Sequence, residues 1–153
     1  MARRILVLNG PNLGMVGRRE PQIYGSRSLD DVVAELHQRA PGLGLELRCE
    51  QSNHEGRLID ILEEEHDRAD GAVVNLGALT HTSLALADAL RFFARPVIEV
   101  HISNIHAREE LRHRSLTGAV VTGVVTGLGV DGYLLALAAL ARMLPSDPQE
   151  TTA

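Results

Sequence analysis

The sequence predicts an α/β fold in which a doubly wound, five-stranded parallel sheet lies between two helical layers, three layers in all. Five apolar runs of strand length alternate with segments that carry apolar residues at helical spacing, and this alternation is typical of parallel sheets. Of the 153 residues, 44% are hydrophobic, enough to bury a sizeable core in one domain. We expect that domain to span residues 1–145 and a polar tail to follow over residues 146–153.

The first half of the chain contains two predicted strands and two predicted helices. The apolar residues 4–8 form the first strand, and the Gly- and Pro-rich residues 9–27 follow it as a long loop. A helix begins at Ser28, because Asp31 stands three residues later and completes a variant of the capping box. The elements that follow are a strand over residues 45–49 and a helix over residues 55–66.

The second half continues the alternation. A short apolar run over residues 71–74 stops at Asn75. The next helix presents Leu86 and Leu90 on one face and places Asp88 on the other. The remaining predicted bounds are a helix over residues 83–93, strands over residues 97–101 and 119–125, and a closing helix over residues 130–143.

Two ionisable residues stand out in the fourth predicted strand. Glu99 is a carboxylate inside an otherwise apolar run, and His101 falls at the carboxyl end of that run. Residues two apart on a strand point to the same face, and a buried carboxylate needs a partner. We therefore expect Glu99 to orient the His101 imidazole and to stabilise its charged form. The alternative is a structural salt bridge on an edge strand.

Each predicted strand is followed by polar or glycine-rich sequence. In open α/β sheets, ligands bind outside the carboxyl ends of the strands. We therefore expect five loops to converge on one site rich in amides, hydroxyls, imidazoles and backbone N–H groups. The five segments are, in chain order, NGPN, QSN, NLGALTHTS, HISN and GLG.

Composition excludes several classes of protein. The net charge is -5 and only 3% of the residues are aromatic, which argues against binding nucleic acid through a basic face or by base stacking. The apolar residues 127–144 carry Asp131 and Arg142, so they predict a buried helix and not a membrane span. The sequence has no lysine, which excludes lysine Schiff-base chemistry. The single cysteine, Cys49, fits a reducing cytoplasm.

The loop after the first strand contains one candidate base. Arg18 and Arg19 precede Tyr24 by a few residues, and a nearby guanidinium favours the phenolate form of a tyrosine. A tyrosine in a loop is also commonly a packing residue. The local spacing does not separate these two interpretations.

The segment after the fourth strand allows two kinds of site. Its imidazoles and carboxylates are of the types that bind metals, but their spacing is loose and no HExxH pattern is present, so we expect no metal. The alternative is an anion site, in which Ile102 and Ser103 offer backbone N–H groups and Arg112 a bidentate clamp for a carboxylate. His81 is expected to be a polar side chain of the same site.

Taken together, these motifs resemble those of the type II 3-dehydroquinate dehydratases. The resemblance covers almost the whole chain, and the segments fall in the family's order and spacing. Several separate motifs at consistent positions are far more specific than any one of them. The shared segments are LNGPNLG, GRREPQIYG, QSNHEG, NLGALTHTS, EVHISNIHAREELR and GLGVDGYLLAL.

The resemblance implies catalytic roles for five residues. Tyr24 would remove the proton alpha to the substrate ketone, with Arg19 lowering its pKa. Asn12 would help to hold the water that stabilises the enolate, and His101, oriented by Glu99, would protonate the departing hydroxyl. The residues implied in substrate binding are Asn75, His81, Arg112, Ile102, Ser103 and, from the neighbouring subunit, Asp88.

The resemblance also implies a flavodoxin-like fold and a reaction. The family eliminates water from 3-dehydroquinate to give 3-dehydroshikimate through an enolate, a step of the shikimate pathway, without metal or organic cofactor. It assembles as a dodecamer built from four trimers. An elimination beta to a ketone needs a base, an enolate stabiliser and an acid, and the residues named above would supply all three.

Two features depart from the family pattern. Leu116 stands where an aromatic residue is usual, and residues 117–119 replace a proline-containing segment before the last strand. We expect these departures to bear on local packing or subunit contacts more than on catalysis, because none of the proton-transfer positions is altered.

The alternative function is a non-catalytic, flavodoxin-like ligand-binding module. A flavin site would want a hydroxyl-rich phosphate loop after the first strand, where this chain has NGPN and Pro11 lacks an N–H group. A receiver-type signalling domain would want acidic residues in place of Asn9 and Asn75, and a lysine near the fifth strand. The NGPN loop therefore argues against a flavin site, and Asn9, Asn75 and the absence of lysine argue against a receiver domain.

Overall fold

The computed structural model describes residues 1–18, 22 and 26–145. Its strands are β1 Arg3–Asn9, β2 Leu45–Gln51, β3 Gly71–Asn75, β4 Val97–His101 and β5 Gly123–Thr126. They form one parallel sheet in the order β2-β1-β3-β4-β5. The winding direction therefore reverses between β1 and β3, as in doubly wound sheets of the flavodoxin type. The predicted fold class is confirmed.

Among the described residues, three helices connect strands and a fourth follows the last strand, and serine side chains cap two of the four. The predicted capping box at the first helix is present, because Ser28 Oγ accepts the Asp31 N–H at 3.1 Å and Asp31 Oδ2 accepts the Ser28 N–H at 3.0 Å. Ser83 Oγ likewise accepts the Leu86 N–H at 2.9 Å. These side chains satisfy backbone donors that a helix end leaves free. The helices are α1 Leu29–Arg39, α2 Glu55–Glu65, α3 Leu84–Phe93 and α4 Asp131–Met143.

Apolar residues on both faces of the sheet form two core layers. Ile5 and Val7 of β1 pack with α1 and α4, whereas Leu6 and Leu8 pack with α2 and α3, as the alternation of side chains along a strand requires. Burial on both faces explains why the inner strands β1, β3 and β4 are largely apolar, whereas the edge strands β2 and β5 are only partly buried. Among the described residues, no helix is long and apolar enough to cross a membrane. Residues 146–153, where the polar tail is predicted, lie outside the described residues.

The fifth strand is shorter than predicted. The prediction of a strand over residues 119–125 is wrong at its start, because β5 begins at Gly123. The Val120 N–H donates to the Thr117 carbonyl at 3.0 Å, so this part of the run is a turn. Val120 and Val121 pack against the core layer of α2 and α3. Their hydrophobicity serves that packing and not a strand.

A buried carboxylate ties β1 and β2 to α2. Glu65 accepts hydrogen bonds from Arg4 Nε at 2.8 Å and Nη2 at 3.0 Å, and from Arg48 Nη1 at 2.8 Å. The hydrogen bonds from Arg4, with those from Arg48, hold the pKa of Glu65 below its usual value although burial opposes this. The cluster is completed by exposed partners of Arg48, among them Glu64.

We expect Glu65→Gln to lower the free energy of unfolding by about 1–3 kcal/mol at neutral pH, because two partly buried guanidiniums lose a shared counter-charge. The depressed pKa of Glu65 in the folded protein sets the sign of the pH dependence. The contribution is present above the unfolded-state pKa, about 4.3, and is lost as pH falls through the folded-state pKa. Urea unfolding at neutral pH and near pH 3 measures both effects.

The matched control is Glu64→Gln, which removes a carboxylate from the same cluster. The Glu64 side chain is 42% exposed, whereas that of Glu65 is 0% exposed. We expect the control to lose less than about 1 kcal/mol. Equal losses in the two variants would contradict a special role for the buried carboxylate.

Candidate active site

The loops after β1, β3 and β4 enclose a cleft at the carboxyl ends of the strands. Its volume is about 210 Å³. The expectation that all five loops converge there is only partly right: among the described residues, the loops after the edge strands β2 and β5 do not line the cleft. The predicted site residues that line it are Asn12, Asn75, His81, His101, Ile102, Ser103 and Arg112.

In the described part of the chain, the loops after the edge strands β2 and β5 do not line the cleft but contact the backbone of residues that do. Asn53 Oδ1 accepts the Asn12 N–H at 3.0 Å. The Gly127 N–H donates to the His101 carbonyl at 3.1 Å. These contacts hold backbone atoms of cleft residues, which explains the polar and glycine-rich sequence at those strand ends.

Glycines let the loops after β1 and β3 meet backbone to backbone. A Cβ atom on Gly10 would lie 2.6 Å from the carbonyl oxygen of Leu76, and one on Gly77 would lie 2.9 Å from that of Pro11. Gly77 also has a φ of +57°, a conformation that glycine adopts without strain. The close approach brings Asn12 and Asn75 to the same cleft.

His101 and Glu99 form the predicted pair at the end of β4. The Nε2 atom of His101 lies 2.9 Å from Oε2 of Glu99, and both side chains are buried. Because a carboxylate only accepts, Nε2 carries the proton. Among the described residues, no partner binds Nδ1 of this ring, which lines the cleft. The edge-strand alternative is wrong, since β4 lies between β3 and β5.

Two hydroxyl groups complete the surroundings of the Glu99 carboxylate. Ser115 Oγ donates to Oε2 at 3.0 Å, and Thr117 Oγ1 donates to Oε1. Burial by itself raises the pKa of Glu99, but the hydrogen bonds from His101, Thr117 and Ser115 outweigh it and leave the pKa below its usual value. Thr117 is one of the residues, 117–119, that depart from the family pattern. Because it contacts Glu99, this departure affects the Glu99–His101 pair as well as local packing.

His81 is held parallel to His101 by a main-chain carbonyl. Its Nδ1 donates to the carbonyl oxygen of Arg114 at 2.7 Å, because a carbonyl can only accept. The ring centroids of the two histidines are 6.3 Å apart, with an angle of 24° between the planes. In the neutral ring, Nε2 of His81 is then left as a hydrogen-bond acceptor.

Asn75 belongs to a buried network that sequence reasoning missed. Its Nδ2 donates to the hydroxyl of Tyr133 at 3.0 Å, and that hydroxyl donates to Oδ1 of Asn9 at 2.6 Å. Asn75 Oδ1 accepts the Gly77 N–H at 3.2 Å. Burial raises the pKa of Tyr133 above its ordinary value, so the phenol stays protonated. The only signal in sequence was a lone tyrosine in an otherwise apolar helix.

Cationic groups and backbone donors cluster on one side of the cleft. Arg112 lines it while its Nε donates to Glu109 at 2.6 Å. Arg108, which the sequence analysis did not single out, lines it too and donates from Nη1 to Ser103 Oγ at 3.0 Å. Among the described residues, the N–H groups of Ile102 and Ser103 have no hydrogen-bond partner. The spacing of Arg108 and Arg112, four residues apart, could have indicated the second arginine.

The part of the cleft that the structure describes is lined by uncharged side chains, imidazoles and guanidiniums. None of the described residues that line it is Asp or Glu, and Glu99 lies behind His101. Nor does the described part of the chain group three His, Cys, Asp or Glu side chains closely enough to hold a metal ion. The polar lining consists of amides, imidazoles, guanidiniums and N–H groups, which suits an anionic ligand with hydroxyl groups.

Three predicted site residues are not placed in this cleft. Arg19 and Tyr24 lie outside the described residues. Asp88 is exposed on α3, where its Oδ1 accepts a hydrogen bond from Arg91 at 3.1 Å, and it does not line the cleft of its own chain.

Comparison with known proteins gives consistent matches. Residues 3–141 match the model of the family described as Dehydroquinase class II. A 3-dehydroquinate dehydratase from a Chelativorans species is 56% identical over 145 residues, 94% of this chain and 100% of that protein. The crystal structure of a type II dehydroquinase from Propionibacterium acnes is similar with a TM-score of 0.89, 50% identity and coverage of 93% of this chain and 98% of that one. One from Butyrivibrio crossotus also has a TM-score of 0.89, with 43% identity, and covers 91% and 97% of the two chains.

Proposed function

The chain belongs to the family of class II dehydroquinases, and from that premise we propose that it is a 3-dehydroquinate dehydratase of the shikimate pathway. It removes water from 3-dehydroquinate to give 3-dehydroshikimate. The observation that carries the proposal is the His101–Glu99 pair at the end of β4, which fixes an imidazole in the lining of a cleft suited to an anionic, hydroxylated ligand.

The elimination proceeds through an enolate. A base removes the proton alpha to the ketone, and the electron pair of that C–H bond forms the enolate, whose oxygen is stabilised by a water held by Asn12. The enolate then collapses as the C–O bond to the leaving hydroxyl breaks. The doubly protonated His101 ring keeps its Nε2 proton hydrogen-bonded to Glu99 and gives its Nδ1 proton to the leaving oxygen, so water departs. General acid–base catalysis and enolate stabilisation suffice for this sequence of steps.

Tyr24 is the proposed base, with Arg19 favouring its phenolate form. Two observations support this choice although both residues lie outside the described ones. No described residue that lines the cleft is a carboxylate. The other tyrosine of the chain, Tyr133, is buried with its hydroxyl between two asparagines and a raised pKa, which rules it out as a base.

Substrate binding is assigned to the remaining lining residues. The free N–H groups of Ile102 and Ser103 hold the substrate carboxylate. The substrate hydroxyls are bound by Asn75, His81 and Arg112. Each of these side chains lines the cleft and is held by a protein contact that leaves some of its hydrogen-bonding capacity free.

A direct absorbance assay tests the proposed function. The enone product absorbs in the ultraviolet, so the purified protein with 3-dehydroquinate is expected to give a steady rise in absorbance, unchanged by EDTA. Protein that has been heat-denatured serves as the control. No rise in absorbance with folded protein would refute the assignment.

We further propose a dodecamer built from four trimers, in which Asp88 reaches into the site of a neighbouring subunit. Asp88 is remote from the cleft of its own chain, and Leu84 and Phe92 on the same helix are both 69% exposed. Large apolar side chains exposed on one helix are typical of a subunit contact.

The single free cysteine, Cys49, suits a cytoplasmic location, which cell fractionation can test.

Asp88→Ala is expected either to reduce the size of the assembly or to raise KM by about tenfold, the effect of losing one or two hydrogen bonds to substrate. Analytical ultracentrifugation and steady-state kinetics measure the two effects. The control is Asp30→Ala, an exposed aspartate of α1 on the opposite side of the sheet. An unchanged assembly with unchanged kinetics would count against a shared site.

A further inference from the structure

We propose that Thr117 and Ser115 are positioning residues, whose hydroxyl groups hold the Glu99 carboxylate so that one of its oxygens stays directed at His101. The inference rests on the proposed function for its kinetic consequences but not for its geometry. It concerns residues 115–118, which overlap the positions, Leu116 and residues 117–119, at which this chain departs from the family pattern that its sequence otherwise resembles.

The three donors divide the two carboxylate oxygens between them. Oε2 accepts from His101 Nε2 at 2.9 Å and from Ser115 Oγ at 3.0 Å, whereas Oε1 accepts from Thr117 Oγ1. Glu99 and Thr117 are both fully buried, so water does not replace a lost donor at Oε1. Without the threonine hydroxyl, one oxygen of a buried anion would lack a partner, which is costly.

The backbone of residues 115–118 forms a turn that lies close to the Glu99 carboxylate. The Gly118 N–H donates to Ser115 Oγ at 2.7 Å and closes a turn. A Cβ atom on Gly118 would lie 2.8 Å from Ser115 Oγ and 3.1 Å from Glu99 Oε2. The turn can therefore approach Glu99 this closely only because residue 118 is glycine. The Leu116 N–H donates to the Thr80 carbonyl at 2.8 Å and so fixes the turn to the loop after β3.

The hydroxyls act through the ionised form of Glu99. A donor to a carboxylate lowers its pKa, so loss of the Thr117 hydroxyl raises the pKa of Glu99. Among the described residues, the other charged or titratable groups near the pair are His81, stacked on His101, and Arg108 and Arg112 across the cleft. None of them contacts the Thr117 hydroxyl, so its removal leaves them in place.

The decisive variant is Thr117→Val, which keeps the shape of the side chain and removes the hydroxyl. We expect kcat to fall about tenfold, the effect of one hydrogen bond to a charged group, while KM stays within about twofold. Thr117→Ser restores the hydroxyl and is expected to recover most of the lost kcat. The matched control is Thr122→Val. The Thr122 hydroxyl accepts the Val97 N–H at 3.0 Å, at the opposite end of β4. We expect kcat of this control to stay within about twofold of wild type.

A measurement without substrate separates this inference from the proposed function. In protein labelled with ¹³C at the glutamate carboxyl groups, the Glu99 signal is identified by its absence from Glu99→Gln. We expect its titration to move to higher pH by about one unit in Thr117→Val and to stay unchanged in Thr122→Val. If Thr117→Val does not fold, Ser115→Ala tests the same carboxylate and is expected to shift the signal in the same direction.

Three results would overturn the inference. They are an unmoved Glu99 signal in Thr117→Val, a fall in kcat that Thr117→Ser does not recover, and an equal fall in kcat for Thr122→Val. A shifted Glu99 signal in a protein that does not turn over 3-dehydroquinate would instead support the positioning role and count against the proposed function.

Discussion

His101→Gln is expected to lower kcat by about 10²–10⁴-fold, the usual contribution of a general acid, and to change KM by no more than about threefold. The amide of glutamine can still donate to the buried Glu99, so the carboxylate keeps a partner and the fold is retained. An amide cannot deliver a proton to the leaving hydroxyl at neutral pH. Steady-state kinetics from product absorbance measure both constants.

The control for this variant is His106→Gln. His106 is exposed on the segment after β4, its backbone N–H donates to Asn104 Oδ1 at 3.1 Å, and it does not line the cleft. We expect kcat within about twofold of wild type. If His101→Gln retained more than about a tenth of wild-type kcat, the acid role of His101 would be refuted.

Tyr24→Phe is expected to lower kcat by about 10²–10⁴-fold through loss of the base, while the substrate still binds. Phenylalanine keeps the aromatic ring and removes only the group that accepts the proton. Titration calorimetry with 3-dehydroquinate measures binding to the inactive variant without turnover. Normal turnover would remove Tyr24 from the base role.

The second tyrosine provides the comparison. Tyr133→Phe removes a hydroxyl that joins Asn9 to Asn75 inside the protein. We expect its main effects to be a loss of stability of about 1–2 kcal/mol and a raised KM through a less well-held Asn75, with a much smaller change in kcat than Tyr24→Phe. Equal loss of kcat in both variants would mean that substitution of either tyrosine disturbs the site generally.

Much of the fold follows from local pattern. The apolar runs mark the inner strands, which are buried on both faces, and Ser28 with Asp31 marks the start of α1, because these features depend on neighbours in the chain. The apolar run at residues 119–125 is the exception. Val120 and Val121 are hydrophobic because they pack on α2 and α3, and a run of four to seven apolar residues does not distinguish that use from a strand.

The pairing of Glu99 with His101 was also determined by sequence alone. Residues two apart on a strand share a face, so a buried acid and an imidazole at that spacing are within reach of each other. The gathering of Asn12, Asn75 and His81 at one edge likewise follows from parallel strands, whose carboxyl ends lie together. Which loops line the cleft and which brace it depended on strand order, because edge strands end at its margin.

Only the tertiary structure decided what supports these residues. The hydroxyl of Tyr133 bonds Asn9, 124 residues away in sequence, and that of Thr117 bonds Glu99, 18 residues away. Such contacts depend on how α4 and the turn before β5 cross the sheet, and no periodicity in the sequence records that path. The sequence by itself thus determined the pairing of His101 with Glu99, whereas the side chains that hold the carboxylate and Asn75 in place became visible only once the layers were packed.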